Sequence, residues 1–437
     1  MTDEHGVVIA ARPAAGAGVI ESPRPGYADV HAVIDARAVW TAFQPVVRLD
    51  TREVVAYEAL NRGPAGTPWQ APGRLFDDAR AAGRVGELDW VCRMSAFRAA
   101  LDARLHPDLA LFVNVEPAAL REPCPPDLIR ISEGAHRLRV VTELTERAVG
   151  DDPAALLAAS GGCRDAAWGV ALDDVGAVPA SLALMPFVHP DFVKLDMHLL
   201  HHSDGPHVAR VVNAVIAHAE RTGATIIAEG IETAQHLAVA RTMGATLGQG
   251  WLFGHPGPLG RTPTGPRSPL RLLPAPANRP HQTPFELVSA HRPVNRATKR
   301  MLLGTTRFLE AQALAAGESP VLLACFQDSR QFTAATARRY DELVGRSAFV
   351  AAYGHGRPAR EVPGVRWAEL AASDPLCGEW NVIVVGPHFS AALVARDLGD
   401  RGAEHYRRFD YALTYDRELV VEAASALLRR LTGQVLR

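Results

Sequence analysis

Cysteine pairs, lysine and long apolar runs are all scarce in this sequence. The five cysteines stand at positions 92, 124, 163, 325 and 377, and no two of them have CxxC spacing, which argues against zinc ribbons and thioredoxin-like redox sites. No stretch approaches the ~18 apolar residues that a bilayer-spanning helix needs. The first 20 residues contain no sustained apolar core of a secretory signal. We therefore expect a cytoplasmic protein without a membrane span.

An excess of one charge is also missing. The 46 basic and 48 acidic residues leave a formal net charge of −2, so we expect no direct binding to nucleic acid. Hydrophobic residues make up 48% of the chain and charged residues 22%, which excludes a mostly disordered or fibrous protein. The only lysines are Lys194 and Lys299. In a chain that otherwise uses arginine, each is a candidate for a lysine-specific role.

Proline and glycine divide the 437-residue chain. Residues 1–27 are rich in Ala, Gly and Pro and lack a clear period, which predicts a flexible lead. Nine of the 32 prolines lie within 255–284, where they would interrupt helices and central strands. We therefore predict a Pro-rich linker at 257–284. It separates a larger module, 28–256, from a smaller one, 285–437.

Short apolar runs alternate with helical patterns in the larger module. We predict helices at 88–105, 153–159, 207–222 and 234–243, and strands at 42–48, 54–60, 110–115, 139–144, 169–173, 192–195, 225–228 and 246–253. Eight strands with intervening helices predict an α/β fold, a (β/α)8 TIM-type barrel. The short LDTREV connection between the first two strands predicts an antiparallel hairpin, which makes the barrel a modified one.

Polar residues recur where these strands end. From the second strand to the eighth they are Glu58, Asn114, Glu143, Asp173 with Asp174, Lys194 with Asp196, Glu229 and Gln249. The carboxyl ends of barrel strands share one face, and that face carries the active site. A single acid at a strand end is more often a helix cap or a surface ion pair. The joint pattern over seven consecutive strands is what indicates a functional site.

The ligand types in this ring favour a hard divalent cation. Carboxylates and the amide oxygen of Asn114 suit Mg²⁺ or Mn²⁺. The ring contains no His or Cys, which argues against zinc or copper. The adjacent Asp173 and Asp174 can hold two ions about 4 Å apart, an arrangement used to cleave phosphodiesters. Lys194 and Glu229 are candidates for orienting or deprotonating the attacking water.

Several nearby acids and histidines have simpler interpretations. Glu232 and Glu146 could be helix-start acids. The segment HHSDGPH contains His201, His202 and His207 and superficially resembles a metal motif, but its Gly, Pro and Asp residues favour a solvated loop.

The motifs of the larger module resemble those of EAL domains, the cyclic di-GMP phosphodiesterases. YEALNRG at 57–63 looks like the segment that names the family, and FQP, FVNV, ELTE, DDVG, FVKLD, AEGIE and QGWLFGHP follow the family's order over about 38–256. The resemblance implies hydrolysis of cyclic di-GMP to linear 5′-pGpG with two Mg²⁺ or Mn²⁺ ions.

The resemblance also implies roles for single residues. Lys194 and Glu229 would assist the attacking water, and Glu146 would tether the loop after the fifth strand. The metal ligands would be Glu58, Asn114, Glu143, Asp173 and Asp174. The substrate contacts would be Gln44, Leu60, Arg62, Asp196 and Gln249. A guanidinium such as that of Arg62 can bind a phosphate with two hydrogen bonds. A homodimer through this domain is left open.

One loop departs from the family pattern. Where the family usually has DDFGTGYSSL, this chain has DDVGAVPASL at 173–182, and Pro179 fixes a φ angle in a loop that is usually mobile. Two hypotheses therefore remain: an active phosphodiesterase, or a weakly active or inactive EAL domain that serves as a cyclic di-GMP receptor or scaffold. A barrel acting on another phosphodiester is disfavoured, because EALNR and QGWLFG occur together.

The smaller module alternates between strands and helices as well. We predict strands at 321–326, 348–353, 380–386 and 409–414, and helices at 333–343, 390–397 and 417–431. No metal spacing, phosphate loop or nucleophile motif is evident. Its segments FQDSRQFTAATARRYDEL, EWNVIVVGPHFSAALVARDL and RRFDYALTYDRELV resemble the DICT sensory domain. The resemblance implies a regulatory domain for an unidentified signal.

Overall fold

The larger module folds into a closed eight-stranded barrel. The computed structural model of the chain describes residues 26–116, 119, 122–145, 153–176, 181–260, 263–275, 282–315, 319–400 and 403–435. Strands β1 to β8 are Trp40–Arg48, Val54–Arg62, Ala110–Val115, Arg139–Thr145, Gly169–Val175, Phe192–Leu195, Thr225–Ala228 and Leu247–Gln249. β1 is antiparallel to both β2 and β8, and the other neighbours are parallel. The modified barrel and its first hairpin are therefore confirmed.

Helices surround the barrel strands. In chain order α1 to α9 are Val30–Asp35, Pro72–Ala81, Val85–Asp102, Ile129–Gly134, Pro153–Asp165, Ser181–Val188, Met197–His201, Pro206–Thr222 and Ala234–Thr242. The four helices predicted in this module are present. α8 begins with a proline in its first turn and is followed by Gly223, which has a left-handed φ of 82°, a common way to start and stop a helix.

The barrel interior explains why polar residues recur at the strand ends. One apolar layer contains an inward residue from every strand: Val46, Ala56, Phe112, Val141, Ala171, Phe192, Ile227 and Leu247. Two positions further towards the carboxyl face stand Glu58, Asn114, Glu143, Asp173, Lys194, Glu229 and Gln249, and the reversed strand β1 contributes Gln44. Because alternate strand residues point the same way, these eight side chains form a polar layer directly above the apolar one.

Residues 263–275, which belong to the predicted linker, close the opposite end of the barrel. Leu270 is 4% exposed and belongs to the apolar layer of the interior. Arg139 donates a hydrogen bond to its carbonyl. The backbone of Leu273 donates to Asp191 Oδ1 at 2.5 Å, and that of Arg267 donates to Glu53 Oε1 at 2.7 Å. Residues 263–275 are thus tied to the amino ends of several strands, and composition alone did not indicate this.

The smaller module is a seven-stranded mixed sheet with helices. Its strands are β9 Asn295–Thr298, β10 Val321–Asp328, β11 Phe349–His355, β12 Val365–Leu370, β13 Glu379–Val385, β14 Ser390–Asp397 and β15 Arg408–Thr414, in the order β12-β11-β10-β13-β14-β15-β9. Among the strand pairs that the described residues form in this sheet, only β10–β11 and β11–β12 are parallel. Its helices are α10 Pro284–Ser289, α11 Lys299–Ala315, α12 Ala334–Val344 and α13 Arg417–Val435.

The prediction of a helix at 390–397 is wrong, because this segment is strand β14. The sequence SAALVARD is rich in good helix formers. However, its residues 390–396 pair with β13 and its residues 392–397 pair with β15, and Ser390 to Ala395 are buried. Its place between two strands therefore overrides its local helical preference.

The last helix joins the two modules. α13 contacts α5 and α6 of the barrel. Leu156 and Ala159 of α5 and Leu427 and Leu428 of α13 belong to one cluster of buried apolar residues. At the start of α13, burial and the charge of Arg221 lower the pKa of Arg417 to about 10. The smaller module is therefore seated on the two helices that follow β4 and β5.

Candidate metal centre and substrate cavity

The centre of the polar layer is the ammonium group of Lys194, which is 1% exposed. Its Nζ lies 2.6 Å from Glu143 Oε1, 2.6 Å from Glu229 Oε1 and 2.8 Å from Asp173 Oδ1. Glu58 Oε2 lies 3.5 Å away. Four carboxylates from four strand ends therefore converge on one cation, which leaves a clear excess of negative charge.

Amide side chains orient the carboxylates at the edge of this cluster. Gln249 Nε2 donates to Glu58 Oε2 at 2.5 Å and to Gln44 Oε1 at 2.9 Å. Asn114 Nδ2 donates to Glu143 Oε2 at 2.9 Å. With its nitrogen so engaged, Asn114 keeps its amide oxygen as a potential ligand.

The pKa values of these groups show that the buried negative charges of the site are unfavourable. Burial, then repulsion by Glu58, raises the pKa of Glu143 well above its usual value. Burial raises the pKa of Glu229 to about 8, although Lys194 opposes the shift. Burial alone would lower the pKa of Lys194, but the surrounding carboxylates raise it well above its usual value. Additional positive charge would therefore be strongly stabilising here.

The donor set fits divalent cations. Asp173, Asp174 and Glu229 each offer an oxygen, and these oxygens lie within 4.8 Å of one another. The donors are all carboxylate oxygens, with the amide oxygen of Asn114 nearby, as Mg²⁺ and Mn²⁺ prefer. Asp174 is exposed, in contrast to Asp173, so it faces the solvent side of the cluster. Its backbone φ is 56°, which is uncommon for a residue with a side chain.

A cavity of about 300 Å³ opens over the cluster. The predicted residues Gln44, Leu60 and Gln249 line it, together with Glu58, Asp173, Asp174 and Glu229. Two predicted substrate residues are not among those that line it. The Arg62 guanidinium donates to the carbonyl of Asn61 at 2.9 Å, and Asp196 caps α7 by accepting from the His198 backbone at 2.7 Å. Glu146 lies outside the described residues.

Sequence reasoning assigned no role to two large side chains at the cavity. Met197 and Trp251 line it and are 38% and 59% exposed. An exposed tryptophan beside a polar cavity offers a flat surface on which a base can stack. Trp251 stands within the QGWLFG motif, so its position was visible in the sequence, but only the fold shows that this residue lines the cavity.

Glycine next to Trp251 allows the close approach of two loops. Gly250 has a φ of 154°, and a Cβ there would lie 2.3 Å from the backbone nitrogen and oxygen of Ile231. Backbone hydrogen bonds run from Ile231 N to Gln249 O and from Leu252 N to Ile231 O. The loop after β7 is thereby fixed against the end of β8, which places Glu229 and Gln249 on one wall.

Comparison with known families agrees with this geometry. The EAL domain family matches residues 29–256, which is more than half of the chain. The chain belongs to the EAL family. A second family, the sensory domain in diguanylate cyclases and two-component systems (DICT), matches residues 285–398. An EAL domain is therefore followed by a DICT domain.

Relatives of this EAL protein include named cyclic di-GMP phosphodiesterases. The probable cyclic di-GMP phosphodiesterase PdeB of Escherichia coli K12 is 28% identical over 239 residues, covering 54% of this chain and 45% of PdeB. The cyclic di-GMP phosphodiesterase NbdA of Pseudomonas aeruginosa is 30% identical, covering 50% of this chain and 29% of NbdA. An uncharacterised protein of Mycobacterium tuberculosis is 29% identical, covering 50% of this chain and 76% of that protein. The chain thus spans under half the length of the two named enzymes.

A solved structure shows a related chain. Klebsiella pneumoniae BlrP1, determined with manganese and cyclic di-GMP, is 28% identical and has a TM-score of 0.44, covering 50% of this chain and 56% of its own. No helix among the described residues of this EAL protein combines the length and the apolar character needed to cross a membrane.

Proposed function

We propose that the barrel is a divalent-metal-dependent phosphodiesterase that hydrolyses cyclic di-GMP to linear 5′-pGpG. The observation that carries the proposal is the polar layer itself. Carboxylates from β2, β4, β5 and the end of β7 surround a single buried lysine beneath an open cavity. Such an arrangement is costly for folding unless cations offset it, which indicates selection for chemistry rather than for stability.

The metal would be held by the residues of this layer. Glu58, Asn114, Glu143, Asp173 and Asp174 would bind two Mg²⁺ or Mn²⁺ ions. When bound, such ions supply positive charge and Lewis acidity to a phosphodiester. Lys194 keeps the carboxylates of Glu143, Asp173 and Glu229 together, so its role would include holding the ligands in place.

Glu229 is our candidate for the proton acceptor. In the reaction a water oxygen bonds to phosphorus and the bond from phosphorus to the 3′ oxygen breaks. The attacking water loses a proton and the leaving oxygen gains one. Glu229 is 20% exposed at its side chain and faces the cavity, so it can reach both water and the buried cluster. Bound cations would favour the ionised form of this carboxyl, whose pKa burial raises, and a carboxylate in that position can receive the proton.

The substrate would be positioned by the cavity walls. Gln44, Gln249 and Leu60 line the cavity, and Trp251 adds a surface for a guanine base. Arg62 and Asp196 would contact substrate only after side-chain movement from their present hydrogen bonds. Glu146, by resemblance, would anchor the loop after β5.

A cyclic di-GMP receptor with little turnover is the second candidate. The supporting observation is the sequence DDVGAVPASL at 173–182. The ligand pair Asp173 and Asp174 is present, but the residues that follow differ from the family pattern. In either case the DICT domain would be the regulatory input, since α13 seats it on α5 and α6.

One assay separates the two candidates. The full chain is incubated with cyclic di-GMP and Mn²⁺, and 5′-pGpG is followed by chromatography, while binding is measured with Ca²⁺ in place of Mn²⁺. Product that disappears with EDTA supports the phosphodiesterase. Binding without product supports the receptor. The absence of both binding and product would refute both candidate functions.

A further inference from the structure

Beside the carboxylate cluster lies a second group of metal-binding side chains of different chemistry. Imidazoles from His201 and His236 face each other with ring centroids 4.3 Å apart. With Glu232 they each offer one ligand atom, and the three atoms lie within 4.8 Å of one another. We propose that His201, Glu232 and His236 form a zinc-type transition-metal site, separate from the carboxylate cluster around Lys194.

The backbone holds the two histidines in place. His201 is the last residue of α7, whose Leu199 and Leu200 are buried. His236 lies in the first turn of α9, where its backbone nitrogen donates to the capping Thr233 hydroxyl at 3.1 Å. The two helices follow neighbouring strands, β6 and β7, so the barrel fixes the distance between the histidines.

The hydrogen bonds leave ligand atoms available. His201 Nε2 lies 3.1 Å from the Gly230 carbonyl, which can only accept, so Nε2 carries the proton and Nδ1 keeps its lone pair. Metal-bound histidines commonly donate their other nitrogen to a carbonyl in this way. The contact from Glu232 N to His236 Nδ1 is long, at 3.4 Å, and leaves that ring able to turn. Among the described residues, the Glu232 carboxylate has no ion pair.

The ligand types select the ion. Two imidazoles and one carboxylate suit Zn²⁺ and similar transition metals, with an open position for water, whereas Mg²⁺ prefers all-oxygen sites. Bonds of about 2.1 Å place tetrahedral ligands about 3.4 Å apart, so small side-chain rotations would complete the site. All three side chains are half-buried, which allows an ion to enter from solvent.

An ion bound at this site would also affect the neighbouring cavity. Glu232 and Gly230 both line it, and Gly230 follows Glu229 directly. An ion bound here would tie α7 to the loop after β7 and restrict the backbone that carries Glu229. The inference concerns metal binding alone and does not depend on the proposed phosphodiesterase activity.

The test counts zinc in the untagged full chain. The protein is dialysed against Zn²⁺ with millimolar Mg²⁺ present to fill the carboxylate cluster, and bound zinc is measured by mass spectrometry and titration calorimetry. We expect one tightly held zinc in the wild type. His236→Gln and His201→Gln should each weaken it at least about tenfold, with unchanged melting temperature in EDTA.

The control uses the neighbouring pair of histidines. His198 and His202 stack at 6.3 Å on the exposed side of the same region, so the double variant H198Q/H202Q should keep the tight zinc. Zinc lost in that double variant but kept in His236→Gln would overturn the assignment. Equal zinc content in all variants would do the same, whatever the outcome of the turnover assay.

Discussion

The two lysines of the chain each lie near the carboxyl end of a strand, Lys194 in the barrel and Lys299 in the smaller sheet. We call this end of each sheet its edge. The electrostatic surroundings of the two lysines differ. Lys194 is 1% exposed and meets four carboxylates. Lys299 begins α11 and contacts Glu404 and Gln331. Gln331 lines a second cavity, of about 280 Å³, in the smaller module. Each sheet thus places polar residues and a lysine at one edge.

The charge balance separates the two edges. The acids and arginines that line the second cavity are equal in number, and they form the ion pairs Arg330–Asp328 and Arg407–Asp397. In the barrel the acids outnumber the lysine. A balanced edge needs no dication to be stable, whereas an acidic one does. The difference suits chemistry in the EAL domain and signal recognition in the DICT domain.

The largest expected effect comes from removing one carboxylate of the barrel. Glu58→Ala should lower the hydrolysis rate by about a hundredfold or more, because loss of a metal ligand removes several kcal/mol of transition-state stabilisation. Initial rates with saturating Mn²⁺ measure the effect. Asp77→Ala, at an acid whose side chain is 74% exposed on the same barrel, is the matched control. Wild-type turnover in Glu58→Ala would remove the metal assignment.

Exchanging each lysine for methionine tests the comparison directly. Lys194→Met leaves buried carboxylates without their cation and should cost about 3–5 kcal/mol of unfolding free energy. Lys299→Met breaks a pair whose Glu404 side chain is 48% exposed and should cost less than about 1 kcal/mol. Urea unfolding in EDTA gives both values. Equal losses would mean that the two edges are electrostatically alike.

The altered loop should affect turnover more than affinity. Replacing residues 175–180 by the family-like FGTGYS should raise turnover by roughly tenfold, the scale of a modest gain in positioning, and leave cyclic di-GMP affinity nearly unchanged. A second version keeps Val175, which is 0% exposed, so that overpacking by phenylalanine is excluded. Equal, fast turnover in the wild type and both versions would show that Pro179 is harmless.

The smallest effect is expected from removing the DICT domain. Leu270 closes the barrel, so a fragment that lacks the DICT domain should end after residue 275. Its basal hydrolysis should differ a few-fold from that of the full chain, because α13 no longer restrains α5 and α6. Circular dichroism checks folding first. Identical rates with and without cell extract would assign the DICT domain to localisation or partner binding instead.

The EAL site could be predicted from the sequence because its signal repeats on every strand. Ala56 and Glu58, Phe112 and Asn114, or Phe192 and Lys194 each place an apolar residue two positions before a polar one. Local strand geometry alone then puts all the polar groups in one layer. The family motifs lie on the same strands, so fold and candidate site were visible together.

Other features depend on neighbours distant in the chain, and only the tertiary structure decided them. Ser390–Asp397 is a strand because β13 and β15 flank it. Leu270 is buried because the open amino end of the barrel receives it. His201 meets His236 across 34 intervening positions, and no local pattern joins them. The sequence by itself determined which side chains of each strand point inward, because side chains alternate between the two faces of a strand with a period of two residues. The structure decided which separate segments meet, because burial and pairing depend on the whole fold.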